Sequence, residues 1–232
     1  MWISKIRHLF SILSLFILST AVHAKWPEIP LPKDARLTVV SDQMILNGVE
    51  MKSWAINSWM PAEKTVEFYK KTWEKPTIEN APGFVESAFE GWHIISRLEG
   101  DYQITVQLDD SVLQTTKGLV AISKLPALKN PPAIGRGFPK VGEMQFINDI
   151  KAVDQNKKSR TIVARTTASV KKSVEHYRRV YKRKGWEEQT HQFAYEGQNK
   201  FGLLFNKRGK ELNLTITRTS DKTDIVAVLV DY

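Results

Sequence analysis

Cysteine is absent from all 232 residues. Its absence excludes disulfides, thiolate metal sites, a cysteine nucleophile and a lipid-bearing N-terminal cysteine. Histidine is scarce: beyond residue 24 only His93, His176 and His191 occur. No two of them have the helical i, i+4 or strand i, i+2 spacing that converges on a metal ion. No G-x-S-x-G elbow, phosphate loop or dinucleotide fingerprint is present. Asp109-Asp110 reads as a turn, and neighbours along a strand would face opposite sides. A carboxylate pair assembled by folding leaves no local spacing, so glycosidic chemistry stays open. No catalytic residue, metal ligand or cofactor is assigned, and an enzyme of unknown reaction class ranks third among the functional readings.

Long apolar runs are lacking except at the start. Lys5 and Arg7 precede an uncharged stretch from Leu9 to Val22, and Val22-His23-Ala24 follows it. This layout predicts a secretory signal peptide over residues 1–24, with Lys25 opening the mature chain. The run falls short of the roughly 20 apolar residues of a span, so no transmembrane segment is expected after cleavage, with an uncleaved anchor as the other reading. Export without a lipid-attachment cysteine points to a periplasmic or secreted bacterial protein. Nucleotide cofactors are scarce there, and none is expected.

What is present is a globular profile, 42% hydrophobic and 25% charged, with length for one large domain or two small ones. The chain also repeats itself. Pro61–Tyr69 aligns with Ser169–Tyr177, matching Lys64 with Lys172, Val66 with Val174, Glu67 with Glu175 and Tyr69 with Tyr177. Upstream, Trp54–Asn57 lies on Ile162–Arg165; downstream, Trp92–Val106 lies on Gly202–Ile216. Two copies of about 100 residues fit common domain sizes. Repeat 1 is placed at residues 25–128, a Pro- and Gly-rich linker at 129–137 and repeat 2 at 138–232.

Ala62, Val66, Tyr69 and Trp73, and likewise Val170, Val174, Tyr177 and Tyr181, are spaced 4, 3, 4, one face of an amphipathic helix. Tyr102, Ile104, Val106 and Leu108 alternate with Gln103, Thr105 and Gln107, as do Leu212, Leu214 and Ile216 with their neighbours. Such alternation marks antiparallel strands buried on one face. The expected fold class is α+β: two tandem repeats, each an antiparallel sheet packed on one helix in the order strand-strand-helix-strand-strand-strand. A helix carrying Phe68-Tyr69 or His176-Tyr177, followed by Gly83-Phe84 or Gly185-Trp186 opening a strand, resembles the tandem helix-grip (BamC-like) modules of bacterial envelope proteins. The resemblance implies a protein-binding or assembly role without catalysis and carries over no functional residue. The chain departs from that lipoprotein type in having no lipid-bearing cysteine.

Charge divides unevenly. Residues 25–128 hold 11 Lys and Arg against 14 Asp and Glu, whereas residues 129–232 hold 21 against 11. Much of the excess sits at Lys171, Lys172, Arg178, Arg179, Lys182, Arg183 and Lys184, opposite or flanking the Val/Tyr stripe. A cluster of this kind is a candidate surface for an anionic envelope polymer or lipid headgroup, and its plainer reading is a solvated helix face. Nucleic acid is disfavoured, because Tyr177 and Tyr181 belong to the stripe and are not free to stack on bases. The acidic first half docking on the basic second half is a further reading. Of the tryptophans, Trp59 and Trp26 are least explained by burial, and an exposed indole would suit a sugar ring. The leading expectation is an exported, non-enzymatic accessory protein that binds an envelope protein partner.

Overall fold

A computed structural model describes residues 25–111, 114–125, 133–154, 157–189, 196–197 and 199–232. The predicted signal peptide, His191 and residues 129–132 of the predicted linker lie outside the described residues.

The chain opens with a hairpin of β1 (Arg36–Leu46) and β2 (Val49–Ser58). Asn47 and Gly48 join them at φ 52° and 81°, the left-handed pair that an Asn-Gly turn adopts at least cost and that matches strand twist. Helix α1 (Ala62–Thr72) follows, then β3 (Val85–Phe89), β4 (Trp92–Glu99), β5 (Tyr102–Asp109) and β6 (Thr116–Lys124). The second half runs β7 (Met144–Asp154), β8 (Lys157–Thr166), α2 (Val170–Arg183), the two-residue strands β9 (Glu187–Glu188) and β10 (Glu196–Gly197), then β11 (Lys200–Lys207), β12 (Lys210–Thr219) and β13 (Lys222–Asp231).

Both helical stripes are buried: Ala62, Val66, Tyr69 and Trp73 in one core, Val170, Val174, Tyr177 and Tyr181 in another. Ser169 caps α2 by accepting from the Lys172 N–H at 3.2 Å, satisfying a donor with no helical partner. Gly185, at φ 73°, ends it in a conformation that costs residues with a Cβ more. The first core joins α1 to Ile95, Ile104, Val106, Leu108, Val120 and Ile122. The second joins α2 to Leu203, Phe205, Leu212, Leu214, Ile216 and Ile225.

All the strands lie in one sheet of 13, in the order β10-β11-β12-β13-β8-β7-β1-β2-β6-β5-β4-β3, with β9 paired to β11. Strand accounts for 54% and helix for 13%. This overturns the α+β expectation. The protein is mostly antiparallel sheet with two helices. The physical reason is edge pairing: β1 and β7 each present free backbone groups, and these satisfy one another over Met44–Leu46 and Ile150–Ala152. The helices, about 16 and 21 Å long at 1.5 Å per residue, cover only part of the sheet, α1 against β6 and α2 against β9, β11 and β12. Helical spacing is conspicuous in a sequence, but here the strands carry the architecture.

Both helices lie on the same face. Ile56, on the core side of β2, alternates to Glu50; Glu50 pairs with Ile45, Ile45 with Lys151, and Lys151 with Arg160. Arg160 alternates along β8 to Ile162 and Ala164 in the second core. Between the helices the middle of this face is left open.

Candidate functional site

That open middle is a groove of about 660 Å³ across the β1–β7 seam, whose lining includes residues of β1, β2, β7, β8 and β13 together with Trp26. Register builds its floor. Glu50, Ile45, Lys151, Arg160 and Leu229 form one transverse row over five adjacent strands, about 19 Å across at 4.8 Å per strand. Val153, Lys158 and Asp231 form a second row beside it. Ile45, Val153 and Leu229 supply apolar surface, and Trp26 walls one side against Tyr102, their ring centroids 5.1 Å apart. Lys52 Nζ lies 5.1 Å from the Trp26 ring centroid, a favourable cation–π placement.

Asn47 and Asp149 hold the seam. The Asn47 side chain accepts from the Asp149 N–H at 2.8 Å and donates to Asn148 Oδ1 at 3.2 Å, while its own N–H donates to the Asp149 carbonyl at 2.9 Å. The Asp149 side chain, 7% exposed, faces Arg160, 24% exposed. Arg160 donates from Nε to Oδ1 at 2.8 Å and from a terminal nitrogen to Oδ2 at 2.7 Å; the Gly135 N–H donates to Oδ2 at 2.9 Å. Burial opposes ionisation of Asp149 most strongly, but the Arg160 and Gly135 bonds and the charges of Arg160 and Lys151 outweigh it, and the carboxyl is held below its ordinary range. Arg160 is therefore committed to the scaffold, and Asp231 is engaged by Lys210. Lys151 and Lys158 make no ion pair among the described residues. The groove thus combines apolar surface with charged side chains of both signs.

The residues singled out from sequence lie elsewhere. Lys171, Lys172, Arg178, Arg179, Lys182, Arg183 and Lys184 are all exposed on α2 or at its end. Arg178 is tied to Glu188 at 2.9 Å and lies over the Phe201 ring at 5.1 Å. Lys184 sits 5.8 Å from the Tyr181 ring centroid. Arg178, Arg179 and Lys182 line a common cleft with Trp186, Glu187 and Glu188, so acidic side chains dilute the cationic cluster. Lys171, Lys172, Arg179, Lys182 and Arg183 make no ion pair among the described residues.

His93 and His176 stand in different halves. Nε2 of His93 lies 2.8 Å from Glu86, which also meets Lys70 at 2.6 Å. Burial, then the charges of Arg179 and Arg183, push the His176 pKa down. Among the described residues no group of three or more His, Asp or Glu side chains is placed to hold a metal ion, and no helix is long and apolar enough to cross a membrane.

Sequence reasoning singled out Trp26 but missed the groove it walls, because the other lining residues come from five strands and share no local period. A second signal was Asn47-Gly48, a hairpin dipeptide whose asparagine side chain reaches the second half. No family model matches this chain, and neither does any curated protein or solved structure.

Proposed function

We propose that the protein is an exported, non-enzymatic accessory protein of the bacterial envelope that acts by binding a polypeptide in the seam groove. The observation that carries this reading is the transverse row Glu50-Ile45-Lys151-Arg160-Leu229, an amphipathic floor to which both halves of the chain contribute. The sheet backbone that carries Lys151 and Lys158 is already ordered, so little backbone entropy is left to lose on binding. The charged segment before Leu9 and the uncharged run that follows it support export.

The test is a photo-crosslinking side chain placed in the cell at Val153 and at Ile45, with Thr105 on the opposite face as control. A discrete adduct with one envelope protein is expected from the groove positions, absent from the control and lost when Leu229→Asp is added. Equal adducts from both faces, or none from the groove, would refute the assignment.

A second reading, an anionic polymer or lipid headgroup on α2, is favoured by the unpaired cations Arg179, Lys182 and Arg183. Its signature would be binding that weakens steeply with salt and disappears on charge reversal at those three positions, with groove variants unaffected.

A further inference from the structure

Trp59 is 83% exposed, an unusual position for so large an apolar ring in a protein whose helix-stripe aromatics are buried. It follows β2 and borders a cleft of about 410 Å³ that Asp34, Arg36, Asn57, Thr115 and Lys117 also line. Three of these form a second register-built row. Asn57 pairs with Arg36 on one side and with Lys117 on the other. Each is one residue removed from the core-facing Leu37, Ile56 and Gly118 row, so all three occupy the face opposite the helices. The seam groove lies on the other face, and the two sites are independent. At 4.8 Å per strand the row spans about 10 Å, close to the length of a disaccharide.

The polar groups are left available. Arg36, Asn57 and Lys117 are exposed, and neither cation makes an ion pair among the described residues. Asp34 Oδ1 is shielded from solvent and accepts no hydrogen bond, a costly state for a buried acceptor. An exposed indole face beside a planar amide, a guanidinium and an ammonium matches the needs of an acidic sugar ring. The apolar face of a pyranose stacks on the indole, its hydroxyls bridge to Asn57, and a ring carboxylate meets Arg36 and Lys117.

We infer that the Trp59 cleft is a binding subsite for an acidic glycan, with Trp59 as the stacking platform and Arg36 and Lys117 as the carboxylate clamp. The test is isothermal titration of the full chain with tetragalacturonate and with the neutral cellotetraose, alongside tryptophan emission. Saturable binding of the acidic tetramer with a blue shift is expected. Trp59→Ala should weaken it by about tenfold or more, with an unchanged unfolding midpoint because the ring is exposed. Arg36→Gln combined with Lys117→Gln should erase the preference for the acidic tetramer. No saturable binding of tetragalacturonate, an unaltered titration in Trp59→Ala, or equal affinity for the neutral tetramer would each overturn the inference.

Discussion

Replacing Asp149 with Asn tests how β7 is braced against β8 beside the seam. The side chain keeps its shape but loses its charge, and it faces Arg160 through two hydrogen bonds of 2.8 and 2.7 Å while accepting a third from Gly135. Breaking a buried ion pair by removing one partner costs about 3–5 kcal/mol. Here Arg160 is 24% exposed and recovers part of its hydration, so the lower end applies, about 3 kcal/mol. For a chain of this size that corresponds to roughly 6–12 °C in Tm. Thermal and urea unfolding at neutral pH would measure it, together with Arg160→Met and the double variant. The coupling in that cycle should be about 1.5–3 kcal/mol. The sign with pH is also determined. Asp149 is held below its ordinary value of 3.8 in the folded chain, so its contribution is complete above that value and is lost as pH falls through the folded one. The gap between wild type and Asp149→Asn should therefore close in acid. Additive single effects, or a gap that ignores pH, would show that the pair does not brace β7 against β8.

Asn47→Gly keeps the left-handed turn but removes the side-chain bonds to Asn148 and Asp149. A loss of about 1–2 kcal/mol is expected, with amide exchange quickened at Asp149 and at the Leu46–Ile150 pairing; seam exchange at the wild-type rate would contradict the clamp. At His176 burial, then Arg179 and Arg183, lower the pKa from 6.5, so the unfolded chain binds the proton more readily. The stability associated with neutral His176 is therefore full above 6.5 and declines as pH drops from there through the lower folded value, by at most about 1.4 kcal/mol per pH unit. His176→Gln should flatten that slope in urea unfolding between about pH 7 and 5, and parallel curves for the two proteins would disprove the contribution.

Periodicity reveals which face a residue uses but not which strand lies beside it. That is why Val174, Tyr177 and Tyr181, or Ile104, Val106 and Leu108, could be read straight from spacing, and why the fold class could not. The α+β expectation weighed two clear helical stripes and gave no weight to the β1–β7 edge, whose three paired residues on each strand have no sequence signature of their own. Trp59 drew attention by lacking a place in any stripe, yet its neighbours Arg36 and Lys117 come from strands far apart in the chain and are joined to Asn57 only by register. The basic cluster on α2 was plain as charge, while Glu187 and Glu188 beside it became visible only once the chain turned back. Register is thus the quantity on which both proposed sites depend, and it is set locally. A slip of one residue at Asn47-Gly48 would exchange Ile45 for Met44 in the transverse row and turn the β1 side chains over to the opposite face. The bonds that Asn47 makes to Asp149 and Asn148 oppose such a slip, so a turn residue far from any ligand decides which side chains the groove presents.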